Sequence, residues 1–151
     1  MMTAGFSQNL PGDIRKMVNS DNHMPPVAQL IGFTLTSVQH GKAVVKLEAT
    51  ERHANPMGTL HGGILCDIAD AAMGIAYASL LQKGETFTTL ELKINFLKPV
   101  WIARLQAEGK VVSSGKTIGL VECNIIDDKQ RLVAKASSTC MTLRGKHALG
   151  R

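Results

Sequence analysis

Residues 55–74 read NPMGTLHGGILCDIADAAMG, and they hold the groups of this chain best suited to chemistry. His61, Gly62 and Gly63 open a long apolar run that reads as a helix. The first N–H groups of a helix lack partners and carry partial positive charge, which suits an oxyanion. Gly62 would present its N–H with no side chain in the way. Inside the run sit two acids, Asp67 and Asp70. At about 100° per residue, Ile64, Leu65, Ile68, Ala69, Ala72, Ile75, Ala76 and Leu80 cover well over half the helix circumference, so the helix should be largely buried. Gly63, Asp67, Asp70 and Gly74 share the narrow stripe that remains, where glycine lets another backbone or a ligand approach. The helix dipole favours acids by about 0.3–1 kcal/mol, but only in the first turn. That leaves Asp67 a solvated or hydrogen-bonded structural role and assigns a functional one to Asp70, about two turns in.

The elements that must hold this helix follow from the flanking patterns. Residues 33–47, FTLTSVQHGKAVVKL, predict two strands around a turn at His40-Gly41. The helix is expected over about residues 62–81. After it, Leu90, Leu92, Ile94 and Phe96 alternate with Thr89, Glu91, Lys93 and Asn95, the pattern of a half-buried strand. Three more strands are expected near 102–112, 117–126 and 131–143, with DDKQ at 127–130 as a hairpin turn. Residues 11–22 suggest a short helix that Met24-Pro25-Pro26 would stop. The order predicts an α+β domain, one long helix against a mainly antiparallel sheet. It is taken as a single domain over 1–151, with 1–26 as an extension carrying the short helix.

Composition narrows the function classes. With 44% hydrophobic and 19% charged residues the chain reads as an ordinary globular protein. Cys66, Cys123 and Cys140 are odd in number and embedded in apolar runs, so buried free thiols in a reducing cytoplasm are expected. The first residues lack the basic-then-apolar order of a signal peptide, and no apolar run approaches the roughly 18 residues that cross a bilayer. The net charge of +5 could serve an anionic partner, but the basic residues are scattered and few aromatics lie among them, which argues against nucleic acid. His23, His40, His53, His61 and His147 form no pair at metal-binding helical spacing and no two cysteines are close, so neither metal nor cofactor is expected. Cys66 is expected on the buried side of the helix, unsuited to a nucleophile.

Asn55, a glycine, His61-Gly62-Gly63 and Asp70, followed by TTLELKINFLKPV and later by SSGKT, resemble the PaaI-like acyl-CoA thioesterases of the hotdog-fold (4-hydroxybenzoyl-CoA thioesterase) superfamily. The resemblance runs over most of the chain and implies a long central helix wrapped by a curved antiparallel sheet. It implies hydrolysis of an acyl- or aryl-CoA thioester to a carboxylic acid and free coenzyme A, in a site made by two subunits. By that match the Gly62 N–H polarises the thioester carbonyl, and Asp70, from the opposite subunit, is the nucleophile or the general base. Asn55 orients water or the carbonyl, His61 fixes the loop or the substrate, and Thr89 assists the acid, with Thr88 the alternative because QKGET leaves the register open by one residue. Lys116, in the SSGKT loop, could meet a coenzyme A phosphate.

Each of these has an ordinary counterpart: Asn before Pro56 is turn chemistry, a histidine at a helix start bonds exposed backbone, and Lys116 is a hairpin lysine. SSGKT does not make a nucleotide-binding loop, since five residues rather than four separate Gly109 from Gly115 and the segment joins two strands. Unpaired sheet edges and the Gly63/Asp70 stripe predict a homodimer or a homotetramer built as a dimer of dimers. A non-catalytic acyl-CoA-binding protein and a hotdog dehydratase or hydratase are the competing functions. The sequence leaves open the acyl group, the choice between nucleophile and base, and the dimer or tetramer.

Overall fold

The computed structural model describes Ile14, Lys16 and residues 24–150. Its six strands are β1 (Phe33–Gln39), β2 (Lys42–Ala49), β3 (Thr86–Phe96), β4 (Ala103–Ser114), β5 (Ile118–Asp127) and β6 (Leu132–Leu143). They form one sheet in the order β1-β2-β4-β5-β6-β3, with every neighbouring pair antiparallel. A short helix α1 (Pro26–Ile31) precedes β1, and the long helix α2 (Gly62–Ala78) lies between β2 and β3. The sheet curves around α2, the α+β arrangement expected.

The apolar arc of α2 explains its position. Leu65, Ile68, Ala69, Ala72, Ile75 and Ala76 are buried, and they meet the inward residues of the central strands, among them Val45, Leu105, Ala107, Val121 and Ile125. Gly109 on β4 lets the helix come this close, because a Cβ there would run into the Ala72 carbonyl and stand 2.9 Å from the Met73 nitrogen. Neither is a flexible side-chain end. Gly109→Ala is therefore expected to cost about 1–3 kcal/mol, read as a lower Tm; an unchanged Tm would mean the helix can back away freely.

Both ends of α2 are fastened. The His61 ring accepts from the Gly63 N–H at 2.9 Å. At the other end the Ser79 hydroxyl accepts from the Gly41 N–H at 2.8 Å and donates to the Ala76 carbonyl at 2.7 Å, tying the β1–β2 turn to the helix. Leu80 and Leu81 donate three residues back, to Tyr77 and Ala78, so the tightened last turn stops the helix at Ala78 rather than at 81.

Three expectations need correction or a limit. Pro25 and Pro26, expected to stop a helix, open the next one, with Pro25 as its N-cap and Pro26 pre-set for the first turn, where a missing N–H has no intrahelical acceptor; the end of the earlier helix lies outside the described residues. Of the helix expected over 11–22, Ile14 and Lys16 are helical and the other residues lie outside the described ones. On β3 the alternation is broken by a register shift between Thr89 and Glu91, which turns Leu90 outward at 52% exposure; Phe96, at the strand end, is 55% exposed.

Candidate active site

Asp70 stands on the stripe of α2 that the apolar arc leaves free, and β3 crosses it there. Thr89 Oγ1 donates to Asp70 Oδ1 at 3.4 Å, a long and weak hydrogen bond. Asp70 opens onto a depression of about 420 Å³ whose walls are mostly apolar, with Ala71, Gly74 and Ala78 from α2, Phe87 from β3 and Val27 from α1. Desolvation in this setting pushes the Asp70 carboxyl above the usual range of about 3.8, and the Thr89 hydroxyl pulls partly against it. Asp67 lies one turn earlier on the same face and is exposed. Its carboxyl is also raised, by desolvation first and then by the charge of Asp70.

A second depression, of about 370 Å³, opens at the N-terminus of α2 between Gly62, Asn55, Thr59 and Phe96. The Gly62 N–H has no hydrogen-bond acceptor among the described residues. The Phe96 ring covers the position a side chain would take, since a Cβ on Gly62 would lie 2.9 Å from its Cζ. Asn55 shapes the loop: its Oδ1 accepts from the N–H groups of Met57 at 2.9 Å and Thr59 at 3.2 Å, and its Nδ2 donates to Thr59 Oγ1 at 2.8 Å. One Nδ2 hydrogen is left over. His61 accepts from Gly63 through Nδ1, so its neutral ring carries the proton on Nε2, at the exposed edge of the loop.

The chain keeps these groups apart. Asp70 lies eight positions after Gly62, about 12 Å along a helix, and the two face different depressions. Lys116 is exposed at the tip of the β4–β5 hairpin, beside the far end of α2, where Gly119 lies against the Tyr77 ring. Cys66 is half-buried rather than turned into the core as expected. Desolvation and the charges of Asp67 and Asp70 hold it as a neutral thiol, which argues against a nucleophilic role for a reason the sequence reading lacked. Among the described residues no cluster of His, Cys, Asp and Glu could hold a metal ion, and no helix is long and apolar enough to cross a membrane.

Two contributors escaped the sequence reading. Phe96 meets Gly62 across the fold, with no local signal. His53 bonds Thr50 and Ile31, and the Thr50-x-x-His53 spacing, a variant of the capping box, could have drawn attention to it.

The chain is similar to known proteins in sequence and in fold. The sequence profile of the Thioesterase superfamily matches residues 57–134. The chain is 32% identical over 111 residues to the 1,4-dihydroxy-2-naphthoyl-CoA hydrolase of Listeria monocytogenes, covering 74% of this chain and 90% of that one. It is 32% identical over 108 residues to the acyl-coenzyme A thioesterase PaaI of Escherichia coli, 71% of this chain and 75% of the relative. The solved structure of the E. coli PaaI protein from the phenylacetic acid degradation operon superposes with a TM-score of 0.76 at 26% identity, over 84% of this chain and 91% of that one.

Proposed function

Because this chain belongs to the thioesterase superfamily and is a thioester hydrolase, we propose that it cleaves acyl- or aryl-CoA thioesters to a carboxylic acid and free coenzyme A. The observation that carries the reading is Asp70, with the Thr89 hydroxyl on it, at the edge of an apolar depression. A carboxylate whose pKa is raised is a stronger base, which suits it to take a proton from water. The Gly62 N–H stabilises the charge that develops on the thioester oxygen. Water adds to the carbonyl carbon as Asp70 takes its proton, and the tetrahedral intermediate collapses with the C–S bond breaking. The proton returns to the departing thiolate. Attack by Asp70 itself, through an anhydride that water then opens, gives the same products.

Because about 12 Å of helix separates Gly62 from Asp70, one carbonyl needs the Gly62 of one subunit and the Asp70 of another. The outer edge of β3 has no strand partner among the described residues, and Leu90 and Phe96 are exposed on that strand, so a second copy seated there supports a dimer or a dimer of dimers. Asn55 and His61 would orient the carbonyl or the attacking water, and Lys116 would meet a coenzyme A phosphate. The naphthoyl-CoA substrate named for the Listeria relative supports aryl groups beside acyl chains. The three free thiols fit a reducing cytoplasm.

A thiol-release assay across acyl- and aryl-CoA esters, without added metal or nucleotide, is expected to show turnover of at least one. Tight binding across a broad panel with no release of coenzyme A would instead make the chain an acyl-CoA-binding protein.

A further inference from the structure

His53, in the 3-10 turn Glu51–His53, is bonded both to α1 and to the loop before α2. Its Nδ1 accepts from the Thr50 N–H at 3.1 Å, and its Nε2 lies 2.8 Å from the Ile31 carbonyl oxygen. The first contact needs a lone pair on Nδ1 and the second a proton on Nε2, so the neutral ring protonated on Nε2 satisfies both. Ile31 is the last residue of α1. That helix has six residues and one buried side chain, Ala28, too little to hold itself in place. Yet Pro25 and Val27, at its start, line the depression beside Asp70. On the other side, the His53 carbonyl accepts from the His61 N–H at 2.8 Å, one peptide before Gly62.

We propose that His53 is a positioning residue: its ring holds the α1 wall of the Asp70 depression, and its turn holds the peptide that presents the Gly62 N–H. The inference rests on the proposed roles of Asp70 and Gly62. It assigns the two ring nitrogens separable effects, because one fastens the wall that an acyl group would touch and the other fastens the loop that carries the oxyanion donor.

Two amide replacements divide the ring's functions. The Oδ1 of an Asn sits where Nδ1 does and can accept from Thr50 but cannot reach Ile31. The amide of a Gln reaches as far as Nε2 and can donate to Ile31 but offers no acceptor near Thr50. His53→Asn is expected to raise KM roughly three- to tenfold, the effect of one lost hydrogen bond, for long-chain or aryl substrates and not for acetyl-CoA, at near-normal kcat. His53→Gln is expected to lower kcat by a similar factor with KM little changed. A purely structural role would move both parameters together with the Tm.

Asp70→Asn, assayed alongside, separates the failures. If that variant stays active, the proposed roles of Asp70 and Gly62 fall; if it is inactive while both His53 variants match the unmodified protein, or lose kcat and KM in parallel with stability, the positioning role falls. Nitrogen-15 NMR of the unmodified protein gives a test that does not depend on either variant folding. The His53 ring is expected in the Nε2-protonated form, and protonation on Nδ1 instead would overturn the assignment.

Discussion

Asp70→Asn is expected to lower turnover by at least about a hundredfold, the scale of a lost general base or nucleophile, while the fold stays intact. The amide has nearly the carboxylate's shape and can still accept from Thr89, so packing changes little, but it takes no proton from water. Asp67→Asn should do much less, because of these two exposed acids it is Asp70 that the Thr89 hydroxyl bonds. Reversed effects would reassign the two acids. The pH dependence follows from the same carboxylate. Its folded-state pKa lies above the ordinary 3.8, so the acid limb of kcat/KM, which reports the groups of the free protein, should fall above that value, at the point where Asp70 gains its proton.

The same shift bears on stability. The folded chain holds the Asp70 proton more tightly than the unfolded chain does. Stability contributed by protonated Asp70 is therefore full below 3.8 and is lost as pH rises through the raised folded-state value. The ionised carboxylate therefore burdens the fold, and Asp70→Asn should leave Tm unchanged or raise it while activity collapses. Thermal melts of both proteins at pH 7 check this. A drop in Tm equal to that of a core mutation would make Asp70 a structural residue.

Local pattern carried much of this architecture, and the places where it failed have particular causes. The buried arc of α2 was legible because its apolar positions recur at helical spacing over several turns. Strands β4, β5 and β6 were legible because alternation and the turn residues at 127–130 agree. On β3 the alternation promised an inward Leu90, but the bulge beside it depends on pairing with β6, which no single strand reveals. That the prolines at 25 and 26 open α1 was not anticipated, because the same residue type serves both ends of helices. At the site, the helix start at Gly62 and the Asp70 stripe could be read from spacing alone. That Thr89 reaches Asp70 depends on how the loop after α2 closes. His53 was invisible as a tether because its partner Ile31 is 22 residues away, and Phe96 reaches Gly62 only through the tertiary fold.

Gly62→Pro is expected to lower turnover by about 10²- to 10³-fold, the effect of deleting one oxyanion donor, and the geometry makes it a selective change. Gly62 is the first residue of α2, where proline is tolerated because the N–H it lacks has no intrahelical acceptor. The preceding His61 already has the extended conformation that proline demands of its neighbour, with φ −64 and ψ 132. The cost falls on the Phe96 ring, which lies over the added carbons and, being 55% exposed, has room to swing away. Gly62→Ala controls for that displacement, since it moves Phe96 but keeps the N–H; only the proline variant should lose most of its activity. The pair Gly62→Pro and Asp70→Asn then tests the shared site directly. Each homodimer would have a defect in both of its sites. A hybrid dimer joins the intact Gly62 of one subunit to the intact Asp70 of the other at one site and gathers both defects at the second. Random exchange makes about half the dimers hybrid, so mixing two nearly inactive proteins should restore about a quarter of full activity. No recovery despite confirmed exchange, or a fully active monomer, would place both groups in one subunit's chemistry and contradict the separation along α2.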